Sequence, residues 1–287
     1  MRFAKFHGYG NDYIVCEAQE FAAEASSVGD FVRRVCDRHY GAGADGIAVV
    51  EKLSGEAADF HLHIFNADGS EAAMSGNGSR CAAAYLYYRG LWTGDRLRFA
   101  TRAGIKLYLL REQPGPCVYR FEAEIGRPLF DSASIPMLTT GPRSLVRDYP
   151  LRLTETETVG VTALQMCNPN CCVFVQNFEA TDWRRIGSLI EPHAAFPERT
   201  NVEFIRVHDR ENIEVRVWER GVGETMSSGT GACASAVASI VNGKTGDRVS
   251  VRMPGGLLEV FRREDGEVLL TGNAELIYSG VWAGAGC

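Results

Sequence analysis

Two kinds of hydrophobic patterning alternate along the chain. Period-two alternation, the mark of a strand with one buried face, recurs in FHLHIF, with Phe60, Leu62 and Ile64 on one side and His61 and His63 on the other, and in IEVRVW, with Ile213, Val215 and Val217 together. The runs LRFAT, IKLYLLR and CVYRFEAE over 96–126 predict three more strands separated by turns. Helical spacing at Val28, Phe31, Val32, Val35 and Cys36 predicts a helix over 28–39, and another is expected over 182–194. Ala-rich runs after Gly78 and over 232–242 predict two further helices, stopped by Gly90 and by Asn242-Gly243. The opening FAKFHGYGNDYIVCE reads as a hairpin whose second strand runs from Tyr13 to Cys16, with Asn11 and Asp12 in its turn. IAVVEKL, residues 158–166, the apolar runs flanking Asn168-Pro169-Asn170, RTNVEFIRV and three closing runs add strands. Residues 127–150 are rich in Pro, Ser, Thr and Gly with little periodicity, which places the inter-domain crossing there.

One stretch occurs twice. FHLHIFNADGSEAAMSGNG (60–78) overlies IEVRVWERGVGETMSSGTG (213–231) without a gap, at a constant offset of 153 positions (228 − 75). The overlay pairs Glu71 with Glu224, Ser75 with Ser228, Gly76 with Gly229 and Gly78 with Gly231. Each copy reads as strand, tight turn and helix N-terminus. The expected architecture is therefore α/β with two pseudo-symmetric domains, residues 1–126 joined by a C-terminal strand 275–287, and residues 127–274. The first turn of a helix exposes unpaired N–H groups with partial positive charge, so it binds carboxylates and phosphates. If the halves face one another, Ser75 and Ser228 lie on opposite faces of one anionic ligand. That arrangement suits racemisation, in which one group removes a proton beside a carboxylate and the other returns one from the far side. The alternative, that duplication left two glycine turns merely joining strand to helix, stays open at this level.

Composition narrows the partners. With 45% hydrophobic and 23% charged residues, the 287-residue chain has the make-up of a globular protein with sizeable cores. A net charge of −6 and the lack of a Lys/Arg cluster argue against nucleic acid. No run of eighteen apolar residues is present for a membrane span, nor an N-terminal apolar run for a signal peptide, so a cytoplasmic protein is expected. Nine scattered cysteines without a C-x-x-C pair read as reduced, mostly buried thiols. Gly41–Gly46 matches G-x-G-x-x-G, but a helix precedes it and a strand follows, the reverse of a dinucleotide-binding turn. His61 and His63 share a strand face with no carboxylate beside them in sequence, so they are expected to face solvent and no metal is expected.

HGYGND, GAGADG, IFNADGSEAAMSGNGSRC, Asn168-Pro169, RTNV and WERGVGETMSSGTGACA, in that order along the whole chain, resemble the diaminopimelate epimerase family. The resemblance implies two similar domains, each a strongly curved sheet or barrel around a central helix. It implies two-base epimerisation of diaminopimelate, LL to meso, on the way to lysine and peptidoglycan, without PLP, metal or nucleotide, in a homodimer. By the resemblance Ser75 and Ser228 hold the two catalytic positions, with Glu219 acting beside the second. Gly76, Asn77, Gly229 and Thr230 would cradle the reacting carboxylate, and Asn11, Asn66, Asn168, Asn201, Glu219 and Arg220 would hold the substrate, with Arg220 gripping its distal carboxylate. The chain departs from the family where the chemistry is concentrated. Both catalytic positions are cysteine in the family and serine here, and the family's Asn-Pro-His reads Asn168-Pro169-Asn170. A serine hydroxyl is a far weaker acid than a thiol and needs an adjacent base. Cys81 and Cys233 lie beyond the helix mouths and are not promoted in their place. Three readings stay open: serines introduced by engineering, a natural branch that works with serine and other helpers, or a relative that binds an amino acid without epimerising it. Asn170, which ligand trapping does not require, favours the natural branch. Inside the wider superfamily, racemisation of a single-centre amino acid or dehydration of a hydroxyproline is the alternative chemistry.

Overall fold

The computed structural model describes residues 1–22, 27–55 and 57–284. Cys287 and the tip of the expected 275–287 strand lie outside the described residues. In chain order the elements are β1 (Arg2–Gly8), β2 (Asn11–Glu17), α1 (Ala18–Ala22), α2 (Val28–Cys36), β3 (Gly46–Lys52), β4 (Phe60–Asn66), β5 (Glu71–Ala72) and α3 (Gly76–Tyr88). They continue with β6 (Arg96–Thr101), β7 (Gly104–Gly115), β8 (Val118–Gly126), β9 (Val146–Arg152), β10 (Thr158–Gln165), β11 (Pro169–Phe174) and α4 (Trp183–Ile190). The last are β12 (Asn201–Val207), β13 (Asn212–Glu219), β14 (Gly223–Thr225), α5 (Gly229–Val241), β15 (Arg248–Met253), β16 (Gly256–Arg262) and β17 (Val268–Val281). No described helix is long and apolar enough to cross a membrane.

The chain divides into two compact units, residues 1–123 with the segment from Thr271 onward, and residues 124–270. In the first unit β1 pairs antiparallel with β2, β2 parallel with β3, β3 antiparallel with β4, β4 parallel with β6, and β6 antiparallel with β7. β8 pairs with β7, and β17 pairs with both β1 and β8, which closes an eight-stranded barrel. The second unit repeats the same run of pairings: β10 antiparallel to β11, β11 parallel to β12, β12 antiparallel to β13, β13 parallel to β15, β15 antiparallel to β16. In each unit a short strand, β5 or β14, folds back on the strand before it and leads into the central helix. The architecture is α/β with two units built alike.

The central helices are buried all round, which is why they read as alanine-rich rather than amphipathic. Asn77 to Leu86 of α3 are all buried, as are Gly231 to Ser239 of α5. Small side chains let the surrounding strands approach the helix backbone. Both helices begin earlier than the sequence suggested, at Gly76 and Gly229, because Ser75 and Ser228 cap them; the glycines form the first helical turn rather than a loop ahead of it. Gly90 (φ 65°) and Gly243 (φ 68°) end the two helices in the left-handed region that glycine adopts without strain. α2 stops at Cys36, short of residue 39, and Val28, counted on its apolar face, is exposed.

The segment 127–150 is less irregular than its composition implied. β9 starts within it, and Ile135, Met137 and Val146 are buried in the core of the second unit with Trp183, Ile190 and Phe204. These apolar residues are spaced by prolines and turns, so no single period exposes them.

Two glycines make room for one aromatic ring. A Cβ on Gly46 would fall 2.5 Å from the Phe65 carbonyl oxygen and 2.7 Å from the Tyr13 ring, and one on Gly78 would fall 2.9 Å from the same ring. Gly46→Ala is expected to destabilise the protein by about 1–3 kcal/mol through overpacking. Urea denaturation followed by tryptophan fluorescence measures this, and an unchanged midpoint would contradict the packing account.

Candidate active site

In the first unit the site is built on the N-terminus of α3. Ser75 (φ −136°, ψ 123°) accepts a hydrogen bond from the Gly78 amide at 3.1 Å, and the Tyr13 hydroxyl donates to the same Ser75 Oγ at 2.9 Å. Asn77 is held from both sides. Its Nδ2 donates to Asn11 Oδ1 at 3.2 Å, while the buried Arg80 guanidinium donates to its Oδ1. Arg80 also stands over the Tyr9 ring at 5.7 Å. Asn11 donates to Asp45 Oδ2 at 2.7 Å, so Asn77, Asn11 and Asp45 form one hydrogen-bonded chain. Asn66 is exposed at the end of β4, where its side chain donates to Ser70 Oγ at 3.0 Å.

A charged frame holds the β1–β2 turn. Asp12 pairs with Lys5 (2.8 Å) and Arg38 (2.9 Å), and accepts the Asp45 amide at 2.9 Å. Burial would push the Asp12 carboxyl up, but the Arg38 and Lys5 bonds outweigh it and hold the carboxyl below the usual carboxylate range.

In the second unit Ser228 (φ −134°, ψ 123°) caps α5 in nearly the same backbone conformation and accepts the Gly231 amide at 3.2 Å. Thr230 Oγ1 lies 3.5 Å from Ser228 Oγ. Beneath this turn is Glu203 of β12, fully buried, with no hydrogen-bond partner for its Oε1. A Cβ on Gly231 would sit 3.1 Å from Glu203 Oε1 and 3.2 Å from Ser228 Oγ, so both oxygens flank one small space that only glycine leaves open. Burial drives the Glu203 carboxyl far above the usual range, with the Glu219 charge adding to the effect. The Cys172 thiol lies 3.7 Å from its other oxygen.

The remaining expected residues cluster by pairs. Asn201 Oδ1 accepts the Arg220 amide at 2.9 Å, and the Arg220 side chain donates to the Glu198 carbonyl at 3.0 Å. Glu219 accepts the Thr225 hydroxyl at 3.0 Å. Asn170 stands beside Asn201 in the parallel β11–β12 register and donates to the Asn168 carbonyl at 2.6 Å. Cys81 and Cys233 are fully buried, and burial pushes the Cys81 thiol up to about 12, which leaves it inert as an acid or base.

Sequence reasoning overlooked Tyr13 and Glu203. Tyr13 offered no local signal beyond following the turn. Glu203 did, since it is a lone carboxylate in the apolar strand NVEFIRV, a composition that needs explaining in a buried parallel strand.

Because the Asp12 carboxyl is depressed in the folded state, its contribution to stability is present above the ordinary Asp range and lost as pH falls through the folded value. Arg38→Ala is expected to lower stability at neutral pH and to raise the midpoint of acid unfolding, read by circular dichroism, with the difference from the wild type shrinking as pH falls through the Asp12 range. Tyr13→Phe should leave the fold intact, as read by circular dichroism, while removing the hydroxyl that donates to Ser75.

Comparison with known proteins agrees with the resemblance along the full chain. The profile of the family described as Diaminopimelate epimerase matches residues 3–120 and 162–277. A Pelotomaculum thermopropionicum protein named Diaminopimelate epimerase is 44% identical over 280 residues, covering 98% of each chain. One of the same name from Desulforudis audaxviator is 42% identical over 287 residues, covering 99% of this chain and all of its own. Among solved structures, a probable proline racemase from Agrobacterium radiobacter K84 superposes with a TM-score of 0.70 at 16% identity, covering 98% of this chain and 92% of its own. A hydroxyproline epimerase from Agrobacterium vitis gives 0.70 at 15%, covering 98% and 90%. These two show a shared fold, and the sequence matches go further: the chain belongs to the diaminopimelate epimerase family.

Proposed function

We propose that the protein is a cofactor-independent amino-acid epimerase that converts LL- to meso-diaminopimelate, with Ser75 and Ser228 at its two catalytic positions. The observation that carries this reading is the pair of serine-capped helix N-termini, matched in backbone angles, in a chain of this family. The unpaired amides of each first turn favour the negative charge that develops on a substrate carboxylate during α-proton removal. Gly76, Asn77, Gly229 and Thr230 would form those cradles. Asn11, Asn66, Asn168, Asn201 and Arg220 would hold the rest of the substrate, and Glu219 would act beside Ser228. The homodimer and the cytoplasmic location expected from the sequence belong to the same proposal, and light scattering of the purified protein tests the first.

Serine needs help that cysteine does not, and each serine has a neighbour suited to give it. Tyr13 is hydrogen-bonded to Ser75. Glu203 shares a small space with Ser228, and burial favours the protonated form of its carboxyl. In the direction that protonates the substrate, Ser228 gives its hydroxyl proton to the carbanion and is reprotonated from Glu203, directly or through one water. In reverse, Ser228 accepts the α-proton as its own passes to the Glu203 carboxylate. Each transfer moves one proton and leaves the serine neutral.

Incubation with diaminopimelate in heavy water is expected to place deuterium at the α-carbon, read by mass spectrometry. No exchange by protein shown to bind the ligand would favour a non-catalytic amino-acid-binding relative. Glu203→Gln should lower exchange by about 100-fold or more, the scale of general acid–base catalysis. Wild-type exchange that depends on protonated Glu203 falls as pH rises through its raised value, and this alkaline limb should vanish in Glu203→Gln. Gly231→Ala, which sets a methyl group between the two oxygens, should slow exchange likewise. Unchanged rates in both variants would remove Glu203 from the mechanism.

A further inference from the structure

The histidine pair of β4 was expected to lack a third ligand, and the fold supplies one. β3 pairs antiparallel with β4 so that Glu51 lies directly across from His61, with His63 two residues along on the same face. One ligand atom from each of Glu51, His61 and His63 lies within 4.8 Å of the others. The two imidazole centroids are 4.1 Å apart. From the geometry we propose that Glu51, His61 and His63 form a binding site for a divalent cation of zinc type, remote in role from the epimerisation chemistry.

Three features support it. First, two imidazoles and one carboxylate are the donor set of a borderline cation such as Zn²⁺, and three protein ligands leave the fourth tetrahedral position to solvent. Second, His63 is already oriented as a ligand. Its Nδ1 is 2.9 Å from Glu71 Oε1, and Arg102 approaches Glu71 at 3.5 Å. A carboxylate accepting from Nδ1 keeps the proton there and leaves the Nε2 lone pair for a metal, the outer-shell arrangement common to metal-bound histidines. Third, the second unit fills the equivalent positions differently. By ladder register Arg206 lies opposite Glu214, with Arg216 two residues along, and Arg216 pairs with Glu214 at 2.7 Å. Charges of opposite sign close that cluster without an added ion. In the first unit two neutral-capable donors and an anion take their place, a set that a cation completes.

The test is a zinc titration of chelator-treated full-length protein, with a chromophoric chelator as competitor. One zinc equivalent is expected, lost in His61→Ala and in His63→Ala, and weakened about 10- to 100-fold in Glu71→Gln, the usual effect of removing an outer-shell partner. Substituting Co²⁺ should give a d–d spectrum without thiolate charge-transfer bands, which separates this site from the exposed Cys167. Zinc binding that persists unchanged in both histidine variants, a thiolate spectrum, or no measurable binding would each overturn the proposal. None of these readouts depends on epimerase activity.

Discussion

Each central helix starts with a serine whose hydroxyl accepts the amide of the third helical residue, and the geometry of both helix mouths depends on that bond. Its free energy is small, about 1 kcal/mol. Its geometric effect is larger, because it fixes where the helix begins, points the remaining first-turn amides outward, and holds the hydroxyl at the mouth of the positive helix end. Serine is a favoured residue at this position, so the exchange of cysteine for serine suits the helix start. What it removes is acidity, the property that proton abstraction needs.

That loss explains why the neighbours of the two serines matter. Two glycines, Gly46 and Gly78, admit the Tyr13 ring and so bring its hydroxyl to Ser75. A third, Gly231, leaves the space shared by Ser228 and Glu203. In each unit a missing side chain places a proton-bearing group beside a weak acid. The glycines of GAGADG and Ser-Gly-x-Gly therefore serve packing. Gly41 shows the same in another way, since a Cβ there would fall 2.3 Å from the Arg34 carbonyl oxygen.

The two units share a run of strand pairings yet differ in what decorates it. A phenol stands by one serine and a buried carboxylic acid by the other. A Glu51–His61–His63 cluster on one ladder corresponds to an Arg206–Glu214–Arg216 cluster on the other. The backbone pattern tolerates such divergence because strand pairing uses main-chain groups, whereas the outward face of a ladder is free to change.

The amino-acid sequence by itself determined the repeat, most strands and helices by type, the family, and the Ser-Gly-x-Gly turns ahead of the two alanine-rich runs. These features are local or periodic: alternation in FHLHIF, alanine runs, glycine stops and motifs a few residues long carry them. It did not determine where the helices begin, since a cap is defined by the hydrogen bond that Ser75 or Ser228 makes rather than by composition. Nor did it bring Tyr13 to Ser75 across 62 positions, set Glu203 beneath Ser228, or place Glu51 opposite His61. Those neighbours are separated along the chain and joined only by strand register and side-chain packing. Tertiary structure alone decided them.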